Sequence, residues 1–185
     1  MSCNLWFSSD HHFDHYNIIK YSNRPFSSVF EMNEFMIQEH NKLVRPQDHY
    51  YNLGDFSMKR PRVVRHFLER MNGHKRLVRG NHDLFKTREY IECGWEEIYG
   101  SRVLERMLFT HIPIHPMSMG RFLGCCHGHI HANKSYDPIM RIDKETQKIS
   151  YQPYINLCVE VTNYRPVSLE EVKQLIQVAS TPVTA

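Results

Sequence analysis

Five short runs end apolar stretches with side chains that bind metals or handle phosphate. They are Asp10, His11 and His12; Gly54 and Asp55; Gly80, Asn81, His82 and Asp83; Thr110 and His111; and Gly128, His129, Ile130 and His131. Carboxylate, amide and imidazole donors in one set suit a divalent transition-metal ion, and the absence of a cysteine from the runs argues against a structural zinc site. Two such ions about 3.5–4 Å apart clamp a phosphoryl group and share a hydroxide nucleophile when a carboxylate offsets their repulsion. One of these residues alone is ordinarily a polar loop residue. Five runs in this order, each entering after a β-like segment such as residues 5–7, 50–53 or 77–78, imply a dinuclear centre for phosphate-ester chemistry as a set. In residues 128–131 the two imidazoles lie two apart, so an extended segment turns both to one side, and Gly128 allows close backbone approach. By the same alternation His11 and His127 point away from the ions.

These residues have to be positioned by regular elements, and the chain alternates strand and helix patterns. Residues 5–8 read as a first strand ending in a loop over 10–15. Ser28 and Glu31 form a capping box for a helix running to about Val44, with Met32, Phe35, Met36 and Leu43 inward. Residues 49–53 are a second strand, Pro61 opens a helix with Val63, Val64, Phe67, Leu68 and Met71 on one face, and Asn72 and Gly73 stop it. Residues 76–79 form a third strand, and residues 87–93 a short helix ended by Gly94. From Glu96 the pattern turns strand-rich, at 97–99, 102–105, 107–110 and 122–127, and predicts a second sheet. A last strand at 155–161 precedes a second capping box, Ser168 and Glu171, and a helix with Val172, Leu175 and Ile176 inward. The polar stretch 132–154, with Lys134, Asp137, Lys144, Glu145 and Lys148, reads as a long loop or irregular hairpin placed to roof the site. The tail from Ser180 is expected to fray.

Composition bounds the class. The 185 residues, 41% hydrophobic and 23% charged, predict one domain over 1–185 with a sizeable core. A net charge of +3 fits an anionic substrate without marking a nucleic-acid module. The five cysteines are odd in number and lack CxxC spacing, which predicts reduced thiols and a cytoplasmic protein. No run is long enough to span a membrane, and no signal segment opens the chain. The basic run Lys59, Arg60 and Arg62 with Arg65 and Arg70 reads as the solvated face of its helix, without the exposed aromatics that stack on bases. Arg24 reads either as a bidentate phosphate contact or as a turn residue; His15 and His115 read equally as phosphate contacts or loop histidines.

The five runs resemble the signature D-x-H, G-D, G-N-H-[DE], a lone His and G-H-x-H of the calcineurin-like metallophosphoesterase superfamily. Phe13, Asp14 and His15, Asn17 to Ile19, Arg24 to Phe26, His111 to Pro113 and Asn163 to Ser168 extend the similarity to a small bacterial and phage branch of phosphoesterases, over nearly the whole chain. The resemblance implies a four-layer α/β/β/α sandwich. It implies that Asp55 bridges two ions, with Asp10, His12 and His131 completing one shell and Asn81, His111 and His129 the other. His82 is expected to contact the scissile phosphate and protonate the leaving oxygen, and Asp83 to orient His82. Manganese is the expected metal, with iron, zinc and nickel as alternatives. The expected substrate is a small phosphodiester such as a nucleotide or cyclic nucleotide; a phosphomonoester, longer nucleic acid or a non-catalytic binding role are the alternatives.

Overall fold

The computed structural model describes residues 3–142, 145–147 and 149–181; Lys144, Lys148 and the tail beyond Thr181 lie outside them. In chain order the elements are β1 (Leu5–Ser8), α1 (Tyr16–Tyr21), α2 (Val29–Leu43), β2 (His49–Asn52), α3 (Pro61–Arg70), β3 (His74–Val78), α4 (Thr87–Cys93), β4 (Glu97–Tyr99), β5 (Arg102–Leu104), β6 (Met107–Phe109), a 3-10 turn (Pro116–Ser118), β7 (Gly124–His127), β8 (Ile139–Ile142), β9 (Ile149–Gln152), β10 (Tyr154–Asn156), β11 (Val167–Ser168) and α5 (Leu169–Ser180).

Two sheets lie at the centre. The first has the order β11-β1-β2-β3-β4, with β1 to β4 parallel and β11 antiparallel to β1; the second has the order β10-β7-β6-β5, with β5 alone antiparallel. Side-chain alternation sorts the first sheet into two faces. Trp6, Tyr50 and Leu77 point to a core filled by Met32, Met36, Phe67 and Tyr90 from the helices, whereas Phe7, Tyr51 and Val78 meet Met107, Phe109 and Cys126 of the second sheet. Phe7 is fully buried and stacks between Phe109, at 4.3 Å between ring centroids, and Tyr51, at 5.4 Å. Helix α5 closes one edge of the space between the sheets, with Val172 and Ile176 packed among Phe7, Val167 and Cys126, and on the far side of the second sheet the β8–β9 hairpin and the residues around the 3-10 turn cover Cys125 and Tyr154. The result is the expected α/β sandwich of sheets flanked by helices. Among the described residues no helix is long and apolar enough to cross a membrane.

Local chemistry accounts for most element ends. Ser28 caps α2 by accepting from Glu31 N–H, but the Glu31 carboxylate reaches Ser27 rather than Ser28, so the box is displaced by one residue. Ser168 and Glu171 form the reciprocal box of α5, and Gly94 ends α4 in the left-handed region at φ 113°.

Several expectations change. Helix α1 occupies a stretch whose pattern predicts no element. Strand β4 extends the first sheet beside β3 rather than starting the second. Phe35 and Leu175 are 39% and 46% exposed, so the inward faces of α2 and α5 are narrower than their apolar content suggests. The strand expected over 155–161 stops at Asn156, because the chain then crosses from the second sheet to the first: Leu157 N–H donates to His127 O, and Val159 N–H to Ser9 O. The hairpin expected in 132–154 forms and packs on Gly120 and Phe122, so of this stretch it is Ala132 and Asn133, before the hairpin, that lie beside His12 and His131.

Two outcomes follow from this packing. Phe7→Ala should lower unfolding free energy by about 3–5 kcal/mol in urea titrations, while Phe30→Ser, at a largely exposed α2 position, should stay within about 0.5 kcal/mol. His40 of α2 is buried against the Tyr50 ring, and burial lowers its pKa to about 4, against a partial opposing effect of its bond to Asn72 O. The unfolded chain therefore takes up a proton at this residue near pH 6.5 that the folded chain refuses until about pH 4. Stability present above pH 6.5 is lost on acidification across that window, by up to about 1.4 kcal/mol per pH unit. Urea titrations of metal-free protein at pH 7.5 and 5 should show a smaller loss in His40→Gln than in the parent; an equal loss contradicts the assignment.

Candidate metal centre

All five runs sit where strands β1, β2, β3, β6 and β7 end, so the parallel pairing brings their loops to one edge of the two sheets. Backbone hydrogen bonds tie the loops directly: Asp10 N–H to Gly54 O, His12 N–H to Asp55 O, and Gly128 N–H to His111 O, each within 3.0 Å. The glycines are where these crossings are tightest. A Cβ on Gly128 would lie 2.0 Å from Ser9 Oγ and 2.3 Å from Asp10 Oδ2, and one on Gly80 would lie 2.2 Å from Asp55 Oδ1.

The site residues gather into two adjoining groups. Donor atoms of Asp10, His12 and His131 lie within 4.8 Å of one another, as do those of Asp55, His111 and His129. Asp55 Oδ2 stands between the groups, 3.3 Å from His111 Nε2 and 3.8 Å from His12 Nε2, and Asn81 Oδ1 is 2.9 Å from His111 Nε2. All seven residues expected as ligands are thus brought together. Their backbone is not extended, however. Asp10, His12, Asp55, His129 and His131 all have φ between 49° and 72°, so the two imidazoles of 128–131 converge through left-handed turns rather than strand alternation. His11 and His127 do turn away, into hydrogen bonds with Ser8 and Asn52 and with Gly128 O and Ser135 respectively.

The donor set fits divalent ions. Asp10 Oδ1 and His12 Nε2 are buried without a hydrogen-bond partner and face each other at 4.0 Å. The other oxygen of Asp10 is occupied, accepting from His129 N–H at 2.8 Å and from the Cys158 thiol at 3.2 Å. Asp55 likewise uses Oδ1 to accept from His82 N–H, leaving Oδ2 facing the histidines. Burial holds the His12 imidazole neutral, with its pKa lowered to about 3 despite the opposing charge of Asp55, and a neutral imidazole is the form that coordinates a cation. For Asp55, burial pushes the pKa up, but the bond and charge of His111 and the His82 N–H outweigh it and keep the carboxylate ionised.

His82 is exposed at the mouth of a cleft of about 510 Å³ that His12, His15, Tyr21, His131 and Asn133 also line; its ring centroid is 5.6 Å from that of His12. Asp83 departs from expectation. Its buried carboxylate accepts from the backbone N–H groups of Asp55 and Gly80, both at 2.8 Å, and makes no hydrogen bond to the His82 ring. It holds the second and third loops together because those N–H groups have no ladder partner at the strand ends. Arg24 is not a phosphate contact either: its side chain is fully buried, donating to Asp10 O, His11 O and Glu160. Glu160 escapes sequence reasoning altogether, hidden in a strand-like run. The one available signal is a lone carboxylate among Leu157, Cys158, Val159 and Val161.

Comparison with known proteins agrees with this geometry. Residues 4–176 match the family model for calcineurin-like phosphoesterases. The chain is 36% identical over 179 residues to the uncharacterized protein MJ1445 of Methanocaldococcus jannaschii, covering 94% of this chain and 91% of that one. Among solved structures it is similar to the protein of unknown function AQ665 from Aquifex aeolicus, with a TM-score of 0.69 and 26% identity, over 94% of this chain and 100% of the other. A weaker likeness, TM-score 0.47 and 19% identity over 69% of this chain and 60% of the other, is to the Pseudomonas putida nuclease MPE. With its two groups of metal donors at the strand ends and a family match spanning nearly its whole length, the chain belongs to the calcineurin-like phosphoesterase family.

Proposed function

We propose that the protein hydrolyses a phosphodiester at a dinuclear metal centre, manganese being the first metal to test. The observation that carries this reading is the pairing of buried, partnerless donors on Asp10 and His12 with the position of Asp55 Oδ2 between two histidine groups. Asp10, His12 and His131 would hold one ion and Asn81, His111 and His129 the other, with Asp55 shared. Such ions supply Lewis acidity and make a hydroxide nucleophile available near neutral pH. On this reading His82, which lines the cleft, would hydrogen-bond a phosphoryl oxygen and give a proton to the leaving oxygen. Asp83 serves this step by fixing the backbone that carries His82, through its bonds to Gly80 and Asp55.

The cleft favours a diester over a monoester. A dianionic monoester is readily clamped by guanidinium or ammonium groups, and among the described residues none lines the cleft; Arg24 is committed to Glu160 and to backbone carbonyls. The cleft volume of about 510 Å³ also leaves room for a substituent on the far side of the phosphate. Nucleotides and cyclic nucleotides, whose second ester group would need such space, are the first natural substrates to screen.

Metal-stripped protein restored with manganese, nickel, zinc or magnesium should cleave bis(p-nitrophenyl) phosphate in preference to p-nitrophenyl phosphate. His82→Ala should lower kcat by roughly 10²–10⁴-fold with unchanged metal content. Faster monoester than diester turnover contradicts the substrate class, and parallel loss of metal and activity in His82→Ala contradicts the proton-transfer role. A labelled oligonucleotide in the same assay separates small diesters from long nucleic acid.

A further inference from the structure

We infer that Arg24 and Glu160 form a brace that positions Asp10, His12 and His131, the three ligands of one half-site that are not shared with the other, and so sets the metal affinity of that half alone. The inference rests on the dinuclear reading above. Glu160 Oε1 accepts from His131 Nδ1 at 2.8 Å and from Arg24 Nε and Nη2 at 2.9 and 2.6 Å. With Nδ1–H donating to a carboxylate, His131 Nε2 is left as the unprotonated nitrogen, directed by a ring whose rotation is fixed. The same guanidinium donates from Nη1 to His11 O and from Nη2 to Asp10 O, both at 2.7 Å. These are the carbonyls on either side of the bend that sets Asp10 and His12, whose φ values are 59° and 49°. One buried ion pair thereby reaches two ligands through their backbone and the third through its ring.

The charges explain why the carboxylate serves as a brace. Arg24 and Glu160 are both almost fully buried, at 0% and 4% side-chain exposure, and each neutralises the other where a lone charge would be strongly disfavoured. The second half-site is built differently. His111 Nδ1 pairs with a neutral backbone carbonyl, Leu53 O, at 2.8 Å, and among the described residues no carboxylate is bonded to Nδ1 of His111 or His129. Only the first half-site has the carboxylate–histidine arrangement that stiffens the ligand and raises its basicity. The two positions should therefore differ in affinity, with Glu160 responsible for part of the difference.

The test is a manganese titration of the metal-free protein by calorimetry, with electron paramagnetic resonance on the same samples. Wild-type protein should bind two ions and show an exchange-coupled signal. Glu160→Gln should weaken one ion by about 10–100-fold and leave the other unchanged, with a six-line mononuclear signal replacing the coupled one at limiting manganese. Glu160→Asp, which keeps the charge, should recover part of the loss; if the glutamine variant fails to fold by circular dichroism, this variant carries the comparison, with a smaller one-site weakening expected. Wild-type affinities at both positions in the variants, or equal weakening of both, overturn the brace. Fewer than two ions bound by wild-type protein overturns the dinuclear reading itself, and the two failures are distinct because one appears only in the variants.

Discussion

The structure depends on holding non-glycine candidate ligands in a left-handed backbone. Asp10, His12, Asp55, His129 and His131 all occupy that region, at a cost of order 1–3 kcal/mol each. Asp and His are among the residues that tolerate it best, but five such positions in touching loops persist only when the surroundings over-determine them. The compensation is visible in hydrogen bonds that run between loops rather than within them: Asp10 to Gly54, His12 to Asp55, Gly128 to His111 and Val159 to Ser9. Each of these loops is thus held by its neighbour.

The sheets make this possible by stacking loops of like direction. Parallel pairing of β1, β2 and β3, and separately of β6 and β7, puts the C-terminal strand ends side by side. The Phe7, Phe109 and Tyr51 stack fixes the two sheets against each other just below the site. The chain after β10 completes the junction by crossing between the sheets, and it carries both Cys158, whose thiol meets Asp10, and Glu160. Core packing and ligand placement therefore share the same few residues, which is why glycine is required at positions 80 and 128, where any Cβ would strike an aspartate ligand.

The candidate ligand set is legible in the chain because its members are chemically conspicuous and each follows an apolar strand. All seven expected ligands converge, and the strands that deliver them are close to where periodicity puts them. What escaped was non-local or irregular. Glu160 and Arg24 are 136 residues apart, and nothing in the neighbourhood of either reveals the other. Alternation misread residues 128–131 because backbone sign is not encoded by polarity. Asp83 looks like a partner for its neighbour His82, yet unsatisfied backbone N–H groups of Asp55 and Gly80 claim it. Strand β4 follows α4 in the same alternating pattern as its predecessors, and its place in the first sheet is set by pairing with β3, a contact that sequence spacing leaves open.

Anomalous diffraction from crystals grown with manganese would locate the ions that these loops are proposed to hold. Two peaks about 3.5–4 Å apart are expected, one against Asp10, His12 and His131, the other against Asn81, His111 and His129, with Asp55 touching both. A single peak, or manganese bound away from Asp55, would contradict the two-metal reading.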